Sequence, residues 1–187
     1  FATDGKGEIY EGVITSIDKQ NIFADVIKYY SYKNRLSKFT FCIPNLRNPD
    51  RFKFAIEKCV ELGITNFLLF NSERSVSKSF NIDRINKILL SAMKQSLLSF
   101  LPIVEVYDSI LKFGELNAVK VLFEQSSENK LANQVFDETK NYYMIFGPEG
   151  GFSEKEMLQI HPTIILNLAE NRLRSETAII KAASLIS

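Results

Sequence analysis

The sequence predicts an α/β protein with an open, mostly parallel sheet, preceded by a small β segment. Three observations predict it. From residue 39 to residue 187, short apolar runs of strand length alternate with amphipathic helical segments. Glycine or proline stands at several junctions between these segments. Before residue 29, two strand-like runs are instead joined by a polar turn, as in an antiparallel hairpin.

The hairpin comes first along the chain. Residues 8–17 and 22–28 are strand-like, and the turn between them, residues 18–21, is Asp-Lys-Gln-Asn. Residues 29–38 are polar, aromatic and basic without a clear period, so we interpret them as a linker. We therefore expect a domain boundary here, with a β domain in 1–36 and the α/β domain in 37–187.

The α/β part begins with a strand and a capped helix. Asn48 precedes Pro49, a pair favoured where the first helical amides have no partner within the helix. Ser153 and Glu156 form a capping box. The predicted strands are 39–44, 64–70, 103–106, 119–124, 142–146 and 163–168. The predicted helices are 48–63, 81–98, 109–116, 153–160 and 176–186. The inward residues of the second helix are predicted to be Ile82, Ile85, Leu89, Ala92 and Met93.

Composition limits the functional classes. Of the 187 residues, 45% are hydrophobic and 24% are charged, which is ordinary for a globular protein with one good-sized core. No apolar run approaches the roughly 20 residues of a membrane helix, and the first residues do not form a signal peptide. We expect a cytoplasmic protein without membrane association, and further residues before Phe1, since the sequence opens without methionine.

The cysteines and the histidine do not predict a metal site. Cys42 and Cys59 lie in apolar surroundings, without a second thiol or a histidine at ligand spacing. We interpret them as small buried residues in a reducing cytoplasm. His161 is the only histidine, and its position before Pro162 indicates the end of a helix rather than a ligand. No metal is expected.

Charge is unevenly distributed, although the net charge is only +1. Basic residues predominate from residue 28 to residue 58, and the balance reverses from 124 to 156. A basic first half can hold phosphates while the whole chain stays near neutral. The same pattern also fits an ordinary solvated face, and charge alone does not separate the two interpretations.

Two predicted strand ends have unusual sequences. Open α/β sheets bind ligands at the carboxyl ends of their strands. The first such end, residues 147–151, is Gly-Pro-Glu-Gly-Gly, which allows a ligand to approach the backbone closely. A sharp strand-to-helix turn would have the same composition. No GxGxxG or GxxxxGK[ST] motif occurs, which argues against a Rossmann dinucleotide site and a P-loop.

The second end, residues 166–178, places Arg172 and Arg174 just before a helix. A helix amino terminus disfavours cations, so the two arginines indicate a bound anion or an anionic transition state. Glu176 lies in the first turn of that helix, where a carboxylate can be simply a cap.

Together the two segments resemble the signature of the SPOUT superfamily of RNA methyltransferases. The likeness is closest to the RsmE-type branch, which methylates the N3 atom of a uridine in small-subunit (16S) ribosomal RNA. The pairing of GPEGG with RLRxETA some twenty residues later is far more specific than either motif alone. Other stretches that resemble this branch are 57–63, 72–75, 94–96 with Pro102, and the amino-terminal hairpin headed by 4–7.

The resemblance implies a fold and partners. It implies a SPOUT-type trefoil knot near the carboxyl end, a partial PUA-like RNA-binding β domain in 1–36, and a homodimer. It also implies S-adenosylmethionine as the methyl donor and ribosomal RNA of the small subunit, as an assembled particle, as the substrate.

The resemblance and the strand-end rule together select candidate residues. The catalytic candidates are Arg174, then Arg172, with Glu149 or Glu176 as proton acceptor; either glutamate could instead only cap a helix or fix a turn. The predicted cofactor-binding residues are Phe146, Gly147, Gly150, Gly151, Leu166, Leu168, Ala169, Leu173, Arg174 and Ser175. The predicted RNA-binding residues are Lys28, Lys33, Arg35, Arg47, Lys53, Arg74, Lys94 and Gln95.

The sequence departs from the family pattern at a few positions. Many relatives have glycine in place of Ala169, and a positive φ there would strain alanine by about 1 kcal/mol. Many have arginine in place of Leu98, so one RNA contact is absent or supplied elsewhere. Ser175 in place of threonine is a mild change.

Two alternatives of different kinds stay open at this point. One is another SPOUT methyltransferase, for example one that acts on ribose 2′-hydroxyls of transfer RNA. The other is a non-catalytic RNA-binding relative, for which Ala169 and Leu98 are the only indications. A protein with a purely structural role ranks last, because it leaves the arginine pair unexplained.

Overall fold

Two β-sheets organise the chain, and they differ in strand direction. The computed structural model describes residues 1–75, 79–108, 110–115 and 117–187. An antiparallel sheet of three strands contains β1 (Ala2–Thr3), β2 (Glu8–Ile17) and β3 (Ile22–Ser31). A parallel sheet of six strands has the order β6-β5-β4-β8-β7-β9. Its strands are β4 (Phe39–Pro44), β5 (Asn66–Phe70), β6 (Ile103–Tyr107), β7 (Val119–Phe123), β8 (Tyr142–Ile145) and β9 (Ile164–Leu166).

Helices cover both faces of the six-stranded sheet. They are α1 (Pro49–Glu61), α2 (Ile82–Ser96), α3 (Glu154–Ile160) and α4 (Ser175–Ile186), with short 3-10 turns at Ile110–Glu115 and Leu131–Asn133. Alternate strand residues face opposite sides: Phe41 and Ile43 pack in one cluster with α1, α2 and α4, whereas Cys42 packs in the other with Phe113 and Ile160. The predicted α/β class with a mostly parallel sheet is confirmed.

The predicted helix signals act as expected. The Asn48 side chain accepts hydrogen bonds from the amides of Asp50 and Arg51, and Pro49 opens α1. Both hydrogen bonds of the capping box between Ser153 and Glu156 are present. His161 ends α3 in the left-handed conformation, so its prediction as a helix-end residue is confirmed.

Helix α2 is shorter than predicted, and the prediction that Ile82 faces inward is wrong. It ends at Ser96, because Leu97 adopts a left-handed conformation with φ 56°. Ile82 is 36% exposed, since the first turn of the helix reaches beyond the core. The other four predicted inward residues are buried. The predicted helix at 109–116 is a 3-10 turn over Ile110–Glu115, and its two end positions lie outside the described residues.

Several strand boundaries also differ from the prediction. β3 continues through residues 29–31, which were predicted as linker, because they pair with residues 8–10 of β2. β5 begins at Asn66 rather than residue 64, and β9 ends at Leu166 rather than residue 168. α4 begins at Ser175, one residue early, and β1 and the 3-10 turn at 131–133 were not predicted. The division into domains 1–36 and 37–187 stays a prediction.

Both cysteines lie in the core of the six-stranded sheet. Cys42 and Cys59 are fully buried, and burial raises the pKa of each thiol above its usual value. Neither cysteine forms a disulfide. Within the described residues, no cluster of three potential metal ligands occurs, and no helix is long and apolar enough to cross a membrane.

Candidate functional site at the carboxyl edge of the sheet

The glycine-rich bend and the arginine bend meet at one edge of the six-stranded sheet. Because all six strands are parallel, the bend 147–151 after β8 and the bend 167–175 after β9 both lie at the carboxyl edge. They line a common cavity of about 590 Å³. The hydroxyl of Ser175 donates a hydrogen bond to the carbonyl oxygen of Gly147 over 3.1 Å, which joins the two bends directly. The predicted convergence of the bends is therefore present.

The glycine-rich bend exposes its backbone to the cavity. The Gly151 amide donates to the Pro148 carbonyl oxygen over 2.9 Å, which closes a tight turn. Gly151 has φ +69°, a conformation that other residues rarely adopt. A β-carbon at Gly147 would meet only the Phe152 ring, at 3.5 Å. A ligand can thus approach this backbone closely.

The arginine bend is held in place by Asn167. Its side-chain oxygen accepts from the Ala169 amide over 2.9 Å, and its side-chain nitrogen donates to the Gln125 carbonyl oxygen over 2.9 Å. Among the described residues other than glycine, positive φ occurs at Leu97 and His161. Ala169 has no positive φ, so the strain expected for alanine at this position does not arise.

The floor of the cavity is aromatic. Phe146 is 1% exposed and stacks on Phe123, with 4.9 Å between the ring centroids. The cavity is lined by eight of the ten predicted cofactor residues: Phe146, Gly147, Gly151, Leu168, Ala169, Leu173, Arg174 and Ser175. The other two do not line it. Leu166 is buried in the core, and Arg74 covers Gly150, with a hydrogen bond from its guanidinium to the Gly150 carbonyl oxygen.

Both arginines of the second bend line the cavity. Arg172 and Arg174 are exposed, and Arg174 occupies the N-cap position of α4 without a side-chain capping bond. Their guanidinium groups are therefore available to a ligand at an end of a helix where the peptide dipoles disfavour a cation. This is the arrangement that the sequence predicted.

The two glutamates occupy different environments. Glu149 lines the cavity, and its Oε1 accepts a hydrogen bond from the Arg47 amide over 3.0 Å. Glu176 does not line the cavity. Its Oε1 lies 3.5 Å from Nε of Arg51, and its Oε2 is buried without a hydrogen-bond partner in the described structure. Of these two candidates, Glu149 is therefore the one with direct access to a ligand in the cavity.

A second buried carboxylate fixes the loops beside the cavity. Glu156 is 0% exposed, and its two oxygens accept from the amides of Ser153 and Glu73, each over 2.8 Å. The second bond ties the loop 71–75, which carries Arg74, to the start of α3. Glu156 thus holds the Arg74 loop against the glycine-rich bend.

Sequence reasoning missed several polar residues that line the cavity. They are Arg51, Glu124, Gln125, Asn167 and Asn171. Glu124 and Asn167 directly follow β7 and β9, so the strand-end rule could have found them. Arg51 lies in the first turn of α1 and belongs to the basic segment 28–58 noted in the sequence, but its place at the cavity depends on the packing of α1 against α4.

The predicted RNA-binding residues are all exposed, but they fall in separate regions. Arg47 and Arg74 contact the glycine-rich bend at the carboxyl edge. Lys33 and Arg35 line a second cavity of about 650 Å³. The last turn of α2 carries Lys94 and Gln95, next to Ser96, which also lines the second cavity. Lys28 lies over the Tyr30 ring on β3, and Lys53 pairs with Glu57 on α1.

The departures at Leu98 and Ser175 differ in their consequences. Leu98 is half-buried and packs against the core, so it offers no polar contact to RNA. Ser175 keeps the hydroxyl that a threonine would supply, and uses it in the hydrogen bond to Gly147.

Comparisons with known proteins agree on one family. A family model described as RNA methyltransferase domain matches residues 33–187. Ribosomal RNA small subunit methyltransferase E 1 of Borreliella burgdorferi is 29% identical, over 100% of this chain and 81% of that protein. The same enzyme type from Rickettsia conorii is 28% identical, over 96% of this chain and 75% of that protein.

Solved structures share the fold over nearly the whole described chain. A probable rRNA-methyltransferase from Porphyromonas gingivalis aligns with a TM-score of 0.82 at 27% identity, over 97% of this chain and 80% of that one. A ribosomal RNA small subunit methyltransferase E from Neisseria gonorrhoeae, bound to S-adenosylmethionine, aligns with a TM-score of 0.82 at 24% identity, over 97% and 79%. The predicted resemblance to the RsmE type is confirmed, and the chain belongs to the RNA methyltransferase domain family.

Proposed function

We propose that this protein transfers a methyl group from S-adenosylmethionine to N3 of a uridine in 16S ribosomal RNA. The observation that carries the proposal is the single cavity formed by the glycine-rich bend and the arginine bend. The relatives named as small-subunit ribosomal RNA methyltransferases support the reaction class and the substrate.

The cavity fits the proposed cofactor. Its volume of about 590 Å³ lies within the usual range for small-molecule sites. The backbone at Gly147 and Gly151 is open to a ligand, and the stacked pair Phe146 and Phe123 gives the cavity an apolar lining. S-adenosylmethionine, when bound, supplies a methyl group on a sulfonium sulfur.

Residues of the cavity supply charge and a proton acceptor. The N3 atom of uridine carries a proton at neutral pH, and it must lose that proton to form the new bond to carbon. Arg174, with Arg172 as the second candidate, stabilises the negative charge that develops on the uracil oxygens. Glu149 accepts the proton directly or through a water molecule. Its contact with the Arg47 amide fixes one carboxylate oxygen and leaves the other for this role.

The proposal extends to partners and location. RNA approaches the cavity along the edge that carries Arg47 and Arg74, where single-stranded RNA phosphates would find exposed cations. The substrate is the assembled small subunit, the enzyme is a cytoplasmic homodimer, and no metal takes part. The trefoil knot and the PUA-like character of the three-stranded sheet belong to the same proposal.

Replacement of Arg174 tests the proposed role of the cavity. Arg174→Ala is expected to lower the turnover number by roughly a hundredfold or more, because a preorganised charge at the reacting group is lost. The circular dichroism spectrum should stay near wild type, and affinity for S-adenosylmethionine, measured by calorimetry, should fall far less than the turnover number. Arg84→Ala, which removes an exposed arginine from α2, is the matched control and should methylate normally.

The product and the binding data separate the alternatives. Nucleoside mass spectrometry of methylated RNA should show 3-methyluridine. A ribose 2′-O-methyl product would assign the protein to another branch of the superfamily. Absence of heat with S-adenosylmethionine at millimolar concentration would favour the non-catalytic RNA-binding alternative, and undiminished turnover of Arg174→Ala would remove that residue from the mechanism.

A further inference from the structure

An ion pair joins the first turns of two helices beside the cavity. Arg51 is the third residue of α1, Glu176 is the second residue of α4, and the two helices pack together. Nε of Arg51 lies 3.5 Å from Oε1 of Glu176. The Glu176 side chain is only 12% exposed, whereas that of Arg51 is 39% exposed. The pair therefore has a buried acidic end and an accessible basic end.

The two partners differ in their relation to the cavity. Arg51 lines it and Glu176 does not. A guanidinium has five N–H donors, and the contact through Nε leaves four of them for other acceptors. Glu176, whose second oxygen is buried without a partner in the described structure, needs the nearby cation, because an uncompensated buried carboxylate is costly. Glu176 and Arg51 thus hold each other in one orientation at the cavity wall.

The position of Arg51 favours RNA over the cofactor as its ligand. The proposed cofactor contacts come from the two bends, whereas Arg51 comes from the first turn of α1 and keeps 39% of its side chain exposed. Arg47, four residues earlier, is exposed on the same edge, and Arg74 lies against the neighbouring glycine-rich bend. These three arginines, which we call the edge arginines, lie at or beside the carboxyl edge of the sheet, and a guanidinium has the bidentate donor geometry that suits phosphate.

We infer that Arg51 binds a backbone phosphate of the RNA at or next to the target nucleotide, and that Glu176 is the positioning residue that orients Arg51. This inference rests on the proposed function and assigns Glu176 a role other than proton acceptor. Arg51 places the nucleotide relative to Arg174 by holding its phosphate, and no proton moves through either member of the pair.

The test measures RNA affinity without requiring turnover. Fluorescence titration of a labelled 16S ribosomal RNA fragment at several salt concentrations is compared for wild type, Arg51→Met, Glu176→Gln and Lys181→Met. Methionine keeps most of the volume of the arginine stem. Lys181→Met removes an exposed cation from α4 that does not line the cavity, and it serves as the charge-matched control. Calorimetry with S-adenosylmethionine is run on the same proteins.

Arg51→Met should weaken RNA binding about tenfold, as expected for a lost charge-assisted hydrogen bond. The slope of log affinity against log salt should fall by about 0.7 to 0.9 for one lost phosphate contact. Affinity for S-adenosylmethionine should not change. Glu176→Gln should weaken RNA binding by a smaller factor, keep the wild-type salt slope because the Arg51 charge remains, and leave the pH profile of turnover unaltered. Lys181→Met should match wild type.

Three outcomes would overturn the inference. In the first, Arg51→Met weakens cofactor binding and leaves RNA binding intact. In the second, its salt slope equals that of wild type. In the third, Glu176→Gln abolishes turnover at full RNA affinity, which would make Glu176 the proton acceptor. Wild-type protein that binds RNA in this manner without methylating it would contradict the proposed function alone.

Discussion

The β2–β3 hairpin and the six-stranded sheet contain similar residues in opposite environments. In the large sheet, Phe41 and Leu69 are 0% exposed. In the hairpin, Val13 is 57% exposed and Ile27 is 68% exposed. Apolar composition alone therefore does not determine burial. The large sheet is buried because helices cover both of its faces. In the part of the chain that the structure describes, no helix covers either face of the hairpin.

This difference predicts an uneven distribution of stability. A two-stranded hairpin is marginal by itself, and proteins open locally where few apolar contacts exist. The hairpin is tied to the α/β part by the Gly7 amide, which donates to the Ser99 carbonyl oxygen, and by a bridge between Lys6 and Phe100. We expect the free energy of unfolding to depend on the large sheet and only weakly on the hairpin.

The largest expected effect is a cavity in the large sheet. Phe41→Ala should lower the free energy of unfolding by about 3–5 kcal/mol, because a fully buried ring in contact with Phe146 is removed. Urea denaturation followed by circular dichroism measures it. A loss below about 1 kcal/mol would mean that this part of the core is not the main source of stability.

An intermediate effect is expected at the loops of the carboxyl edge. Glu156→Gln replaces one of the two accepting oxygens of a fully buried side chain by an NH₂ group, so the amide of Ser153 or Glu73 loses its partner. The expected cost is about 1–3 kcal/mol in the same denaturation experiment. Glu154→Gln changes an exposed residue two positions earlier on α3 and should have no comparable effect. Equal stabilities of the two variants would show that the Glu156 contacts are not important.

The smallest effect is expected in the hairpin. Ile27→Ala should change the free energy of unfolding by no more than about 0.5 kcal/mol, because the side chain is already exposed. Amide hydrogen exchange should also be faster in β2 and β3 than in β4 and β5. A destabilisation comparable to that of Phe41→Ala would reverse the comparison and indicate that this surface of the hairpin is covered in solution.

The sequence predicted most elements of both regions because their signals are local. The Asn48 cap, the Ser153 capping box and the apolar runs of the six parallel strands each lie within a few residues. The strand order could not be read in the same way, because it depends on contacts between distant segments. Residues 29–31 were assigned to a linker for a related reason: their strand state comes from pairing with β2 rather than from their own composition.

In the candidate site, too, the residues with a local sequence signal were predicted and those placed by tertiary packing were not. The two bends were predicted because each has an unusual sequence, and their pairing carried the family resemblance. The sequence did not place Arg51 at the cavity, because that position depends on the packing of α1 against α4. For the same reason it grouped Glu176 with Glu149, although Glu176 pairs with Arg51 and does not line the cavity. Local sequence identifies chemically active residue types, and tertiary packing decides which of them can reach a ligand.

The position of β9 has a consequence for how the protein is made. β9 pairs with β7, not with β8, so the last strand lies at the sheet margin beside a segment completed more than forty residues earlier. Pairing two strands so far apart in the sequence first costs the entropy of closing a long loop, and only then gains the contacts between the strands, which slows folding. On the ribosome, the methyl-donor cavity can form only after α4 has emerged, and a nascent chain stalled before residue 164 would lack the arginine bend that lines it.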